Sequence, residues 1–308
     1  MQDFISEEEL ENLRLKAKRR TYISYALSII SFPFYIYLFY ISQYEKQNTF
    51  GLFIIQLIFV SFVLSLCTLG LLWYVIIKHP YNKFNENFKS KYVLQTINNI
   101  AGFENIQYNS KSGFDWDEIR NSAVIACGDK KYFESEDLLL GTYEGVNFKI
   151  SDVTTKKLVY RDNKRKVEEI FEGQVLCFYK FDDTKISNGH LQIFKTEFLS
   201  NIIGWKAEHK IYTENKSFNN RFKIYSDDEN NAYYILTPQL IQKIIEFSDA
   251  IGEQISLSFN DNKLFIAIKR ESMFDALVDK PVYEQTKYII QDAKNIQKAR
   301  DILINIRK

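Results

Sequence analysis

Glycine and proline are scarce in this chain of 308 residues, at 11 and 4. That excludes collagen-like repeats and Pro/Gly-rich disordered chains. Histidine and cysteine are equally thin. His79, His190 and His209 are not spaced to share a metal on one helix face. Cys67, Cys127 and Cys177 fit neither a C-x-x-C pair nor a tetrahedral zinc spacing. An odd count without a framework suits a reducing compartment, where isolated thiols behave as small buried hydrophobes. No sign of charge dominates either: 40 Lys+Arg face 39 Asp+Glu, a net +1, so a broadly basic nucleic-acid binder is excluded and no nucleic-acid partner is expected. The phosphate-loop, dinucleotide, zinc-protease and serine-hydrolase signatures are all missing. No catalytic residue, metal ligand or cofactor-binding residue is therefore expected. What the chain does have is apolar mass, 46% hydrophobic and 16% aromatic residues.

Much of that mass is concentrated near the N-terminus. Thr21 to Tyr44 is 24 residues without a charge and Gln47 to Ile77 is 31, separated only by Glu45 and Lys46. Each exceeds the roughly 20 residues that a helix needs to cross hydrocarbon, and neither shows the polar face of a soluble core helix. The first run is about twice a signal peptide's apolar region and lacks a small-x-small cleavage site, so it is read as an anchor. Pro33 falls mid-span, where a kink is expected. Ser24 and Ser28, like Ser61 and Ser65, lie four apart and share a face, which suits close packing of the two helices. Arg14, Lys16, Lys18, Arg19 and Arg20 precede the first run, and Lys78, Lys83, Lys89 and Lys91 follow the second. Both ends are therefore expected on the cytoplasmic side. Phe4 to Arg20, acidic then basic, reads as a short interfacial helix against anionic headgroups.

Residues 79 to 308 carry 33 charges of each sign, and no Pro/Gly/Ser-rich linker divides them. Tyr81, Phe84, Phe88 and Tyr92 recur at three and four, predicting a stalk helix to about Ala101. From Glu136 the period becomes two. Val146, Phe148 and Ile150 follow a Glu144-Gly145 turn, and strands are expected at Lys157 to Arg161, Ile170 to Phe181, His190 to Phe198 and Phe222 to Tyr225. Thr237-Pro238 begins a helix with Ile241, Ile244, Ile245 and Ile251 on one face, ended by Gly252. Ile255, Leu257 and Phe259 lead through Asp261-Asn262 into a hairpin with Leu264 to Ile268. Tyr283 to Ile306 closes as an amphipathic helix. The fold class is α+β: a transmembrane hairpin, then a stalk helix, then an antiparallel-sheet domain with packed helices. The expected divisions are an interfacial segment 1–20, spans 21–44 and 51–77 around an external loop 45–50, a stalk 78–110 and a cytoplasmic domain 111–308.

Acidic pairs are the remaining candidates for chemistry. Asp115-Trp116-Asp117, Asp182-Asp183 and Asp227-Asp228-Glu229 bring carboxylates together in a way that can bind Mg²⁺ with a phosphorylated ligand. The plainer reading makes them turn residues and helix caps. Gly141 and Gly145 belong to turn chemistry, and Lys164-Arg165-Lys166 to a solvated hairpin tip that would meet headgroups only if it faced a bilayer.

Glu136-Asp-Leu-Leu-Leu-Gly-Thr-Tyr-Glu-Gly-Val-Asn-Phe-Lys-Ile-Ser-Asp152, then Phe171-Glu-Gly-Gln-Val, then Phe222-Lys-Ile-Tyr-Ser-Asp-Asp228 and Ala232-Tyr-Tyr-Ile-Leu-Thr-Pro238 resemble the bacterial family called domain of unknown function 3137. Its members similarly carry two N-terminal spans. The resemblance implies a bacterial inner-membrane protein and supplies no catalytic residue. The expected function is a membrane-anchored, non-catalytic interaction module whose partners are the lipid bilayer and a protein, with oligomers possible. The alternatives are an enzyme acting on a lipid-linked or phosphorylated substrate through Asp115, Asp117 or Asp227, and an oligomeric transport component, for which Gln56 is the one larger amide in the second span.

Overall fold

The computed structural model describes residues 4–43, 50–161, 164–179, 190–195, 209–270 and 274–307. The expected external loop at 45–50 lies outside this set except for its last residue, as do Asp182-Asp183 and the end of the strand expected to reach Phe198. The architecture is α+β. The chain divides into two units, Met1–Tyr92 with Ala276–Thr286, and Val93–Asp275 with Lys287–Lys308.

The first unit is helical. Helix α1 (Glu7–Gln43) is 37 residues long and runs through Pro33. The acidic-to-basic segment expected as a separate short helix forms its first turns. Glu7, Glu8 and Glu9 sit in the first turn, where carboxylates complement the unpaired N–H groups. Helix α2 (Phe50–Leu72) continues through a π-helical turn (Trp73–Ile77) into α3 (Lys78–Asn87) and a second π turn (Phe88–Tyr92). Pro80 gives a reason for the first of these. A helical proline lacks an N–H and presses its ring on the carbonyl four residues back. The ladder is widened there, with the Lys78 N–H donating to the Trp73 carbonyl.

The second unit begins with α4 (Val93–Asn98) and goes straight into a strand, β1 (Phe103–Asn109), which falls inside the stretch 78–110 expected as a stalk. Then follow α5 (Trp116–Ser122), β2 (Glu134–Tyr143), β3 (Val146–Arg161), β4 (Lys164–Tyr179), β5 (Leu191–Lys195), β6 (His209–Ile211), α6 (Lys216–Arg221), β7 (Phe222–Ser226), α7 (Glu229–Ile235), α8 (Pro238–Ile251), β8 (Gln254–Asn260), β9 (Lys263–Lys269) and α9 (Val282–Arg307). Among the described residues the nine strands form one antiparallel sheet in the order β1-β2-β3-β4-β9-β8-β5-β7-β6. Two hairpins close on residues with positive φ, Glu144-Gly145 and Asp261-Asn262, as two-residue connections between right-twisted strands demand. Thr237 caps α8 by accepting from the Leu240 N–H, and Gly252 at φ +72° ends it.

Alternation along the strands gives the sheet two unlike faces. One carries Phe148, Ile150, Leu176, Phe178, Leu257, Phe259, Ile266 and Ile268, all buried. Helix α9 is fixed over this apolar face by ion pairs at two places, Asp292 to Arg270 (2.6 Å) beyond β9 and Arg300 to Glu144 (2.6 Å) at the β2–β3 turn. The other face mixes Val153, Phe171, Val175, Cys177, Phe194 and Phe265 with polar Thr155, Gln192, Ser256 and Asn260. It is covered by the connection between β1 and β2, whose Phe114, Ile119, Val124, Ile125 and Cys127 complete the core. The polar residues carry that connection: Asn260 Nδ2 donates to the Asn121 carbonyl (2.8 Å), Gln192 Nε2 to Ala123 (3.0 Å), Ser256 Oγ to Val124 (2.6 Å) and Thr155 Oγ1 to Ala126 (2.9 Å). A buried extended segment has carbonyls without ladder partners, and these side chains supply donors. Gly128, at φ +58°, then passes so close to β3 that a Cβ would lie 2.2 Å from the Lys156 carbonyl.

Candidate functional site

In the first unit the surface that calls for a function is the apolar helical pair. Helix α1 packs in succession against α2, the π turn and α3. Its contact with α2 is built from small hydroxyl residues: Ser28 Oγ donates to the Ser65 carbonyl (3.1 Å), Ser65 Oγ to the Ser28 carbonyl (2.9 Å), and Ser31 and Thr68 hydroxyls meet at 3.2 Å. Ser24 and Ser61 are fully buried in the same stripe. Facing away from this seam are Ile29, Ile30, Phe34, Ile55, Phe59 and Phe62, each more than half exposed. Both helices are long and apolar enough to cross a membrane. Only 11% of the most apolar stretch of the first and 6% of the second is buried within the chain. A soluble core helix of such composition is covered; these are bare.

The apolar surface ends in aromatic and basic residues. Lys18 lies over the Tyr22 ring (5.9 Å) on α1, and Lys78 over the Tyr74 ring (4.6 Å) beside exposed Trp73. Of the five bases expected to flank the first run, Arg14 is taken by the unit itself. It is buried, donates from Nε and Nη2 to both Glu11 oxygens (2.9 and 2.5 Å), and from Nη1 to the Val278 carbonyl (2.6 Å). Glu11 in turn accepts from the Val282 N–H (3.0 Å) at the start of α9. Arg14 holds the Glu11 carboxyl below its ordinary range against an opposing effect of burial. Lys16, Lys18, Arg19 and Arg20 remain on the surface or partly exposed.

In the second unit the acids singled out by sequence do not converge on a site. Asp115 occupies the N-cap position of α5, and Asp117 in the first turn pairs with Lys130 (2.8 Å). Asp228 caps α7 by accepting from the Asn231 N–H, and the Asp227 N–H donates to the His190 carbonyl (3.2 Å). His209 lies 3.8 Å from Glu229, on β6. Among the described residues no group of three His, Cys, Asp or Glu side chains is arranged to hold a metal ion. Cys127 and Cys177 are buried, and burial pushes both thiols up to about 12, so neither offers a thiolate nucleophile.

One constellation escaped the sequence reading. A bulge in β2 sets Asp137 at φ +58°, fully buried, as the acceptor for the Tyr108 hydroxyl. Burial first, and then Asp137, Asp152 and Asp275, raise the Tyr108 phenol well above its ordinary value, so it stays a donor. Beside it Glu136, Asp152 and Gln174 form one cross-strand row. Glu136 and Asp152 line a hollow of about 80 Å³ with Glu134 and Glu172, and Glu172 also borders a larger one of about 620 Å³ with Glu169, Glu253, Lys269 and Arg270. Nothing in the local sequence signals this, because the bulge and the β1 pairing bring the groups together.

The comparisons with known proteins bear on this second unit. Residues 169–307 match the family described as Protein of unknown function (DUF3137). The match contains the Phe171-Glu-Gly-Gln-Val, Phe222–Asp228 and Ala232–Pro238 blocks of the expected resemblance, whereas the Glu136–Asp152 block precedes it. No curated protein and no solved structure matches the chain.

Proposed function

We propose that this protein is a membrane-anchored interaction module of the bacterial inner membrane, held by the α1–α2 hairpin with both ends of the chain on the cytoplasmic side, and that its α+β unit binds a protein partner without catalysing a reaction. The observation that carries the reading is the bare apolar surface of the hairpin, bounded by Tyr22, Trp73, Tyr74, Lys18 and Lys78. Aromatic rings and lysines at the ends of apolar helices suit the headgroup level of a bilayer. The bases beyond them, against Lys46 as the one base in the short connection, support the orientation. Asp117 is held in an ion pair with Lys130, Asp228 caps a helix and Asp137 accepts from a tyrosine, which favours structural roles for these acids over chemistry. Floating the full chain with liposomes in high salt tests the anchor, and a chain left at the bottom of the gradient overturns it. Lys111→Cys, at an exposed position, tests the side: labelling by an impermeant maleimide only after permeabilisation is expected, and labelling in intact cells reverses the orientation. Cross-linking in cells followed by affinity capture of the full chain is expected to enrich a defined envelope protein; the same background as an unrelated two-span protein counts against the module.

A further inference from the structure

The β3–β4 hairpin is longer than the sheet that holds it. Pairing with β2 ends at Glu134↔Thr154 and pairing with β9 at Gly173↔Lys269, but β3 and β4 go on to Arg161↔Lys164. A bulge between Thr155 and Lys156 marks where the ribbon leaves the sheet. Asp129 braces its base, accepting from the Leu158 N–H (2.8 Å). A lone two-stranded ribbon has little intrinsic stability, and among the described residues this one has no full apolar cover: Tyr160 is 66% and Val167 41% exposed.

Its charge is also unlike that of the balanced chain. Lys156 to Glu169 holds six basic residues against three acidic ones. On one face Arg161 stands directly opposite Lys164, next to Lys166, an arrangement of like charges that costs stability unless an anion meets it. Glu168 pairs with Arg161 (3.2 Å). The other face carries Leu158, Tyr160 and Val167, with Arg165 lying over the Tyr160 ring (5.8 Å).

We infer that this arm is a docking surface for an anionic bilayer, with Arg161, Lys164 and Lys166 meeting phosphate-bearing headgroups and Tyr160 and Val167 entering the interfacial zone. Clustered bases gain about 1 kcal/mol each near an anionic surface, and an amphipathic tyrosine prefers that zone. A bilayer is favoured over other polyanions because the tip pairs its charge with exposed apolar side chains, and because a chain anchored in lipid stays at high effective concentration near headgroups. The inference rests on the anchored reading above.

The test reconstitutes the full chain in nanodiscs of phosphatidylcholine alone or with about one-third phosphatidylglycerol and follows hydrogen exchange of 156–169. Exchange about 30- to 150-fold slower in the anionic discs is expected, from two or three charge contacts. That slowing should vanish in the Arg161→Gln, Lys164→Gln, Lys166→Gln triple variant, whose substitutions are all exposed. Equal exchange in both discs, in a chain that floats with liposomes, overturns the docking surface and leaves the anchor standing. A chain that fails to float overturns both. Slowing by soluble heparin but not by the anionic discs also overturns it, in favour of a non-membrane polyanion.

Discussion

Replacing Arg14 by alanine should release residues 276–286 from α1. The guanidinium makes a two-point ion pair with Glu11 and a third bond to the Val278 carbonyl, and Arg14 is only 4% exposed. Truncation leaves a carbonyl without its donor and a carboxylate without its partner. Breaking a buried pair in this way costs about 3–5 kcal/mol. The Glu11 side chain, however, is 30% exposed and regains water, so the lower figure of about 2–3 kcal/mol for lost charged hydrogen bonds applies. If opening is local, the Leu277, Gln285 and Val282 amides should exchange about 30- to 150-fold faster, since each 1.4 kcal/mol is a factor of ten. Arg14→Lys, which keeps the charge and loses the fork, should fall between. The pH dependence has a fixed sign. The Glu11 carboxyl is lowered in the folded chain, so its contribution is present above its ordinary value of 4.5 and is lost as pH falls through the lowered one. Wild-type protection at 276–286 should therefore persist to lower pH than in Arg14→Ala. Exchange over 276–286 that is unchanged in Arg14→Ala would refute the reasoning.

Three further outcomes follow from the second unit. Asp292 is buried and its carboxyl is raised from 3.8 to about 6 by that burial, with Arg270 opposing; the folded state then holds a proton that the unfolded state releases, so stability should fall by on the order of a few kcal/mol as pH rises from about 4 to 6 and level off above. Chemical denaturation of Asp292→Asn should show that slope flattened, and an unchanged slope assigns it elsewhere. Gly128→Ala should destabilise by at least about 2 kcal/mol in thermal unfolding, because the new Cβ meets the Lys156 carbonyl at 2.2 Å in a left-handed backbone; a wild-type midpoint would be inconsistent with the crossing of Gly128 over β3. Cys127 and Cys177, with thiols near 12, should resist maleimide at neutral pH until denaturant is added, and rapid native labelling of either, read by mass spectrometry, contradicts the core.

How much of this was legible depends on where the determinant lies. The α8 boundaries rest on Thr237, Pro238 and Gly252, and the hairpins on Glu144-Gly145 and Asp261-Asn262, all local backbone chemistry that a sequence displays. The apolar sheet face was equally plain in Val146, Phe148 and Ile150. The other face was not. Ser256 and Ser258 alternate with Ile255, Leu257 and Phe259, which reads as a strand with a solvated side, yet both serines are fully buried. Alternation reports which face is apolar and cannot report that a distant segment will lie over the polar one. The same holds for Arg14: it belongs to the basic flank by position and is consumed by a partner 264 residues away. The pairing of Tyr108 with Asp137 needed β1, whose glutamate, two asparagines and glutamine conceal a strand, and a bulge, which leaves no compositional trace.

The family match and the folded unit have different borders, and the difference has a physical consequence. A chain beginning at residue 169 would retain β4 from that residue on, with β5 to β9, but lose β3, to which β4 is paired along its length. It would present β4 as a free edge carrying Phe171, Val175 and Cys177, with the Phe114–Cys127 cover gone as well. An uncovered apolar edge of that kind invites pairing with other chains. The matched segment therefore needs its preceding strands to close the core, and the folded unit that contains most of it begins near Val93. Expressed from 169 onward, the polypeptide should aggregate or bind a strand from elsewhere, whereas β1 to β3 supply that strand here from the same chain.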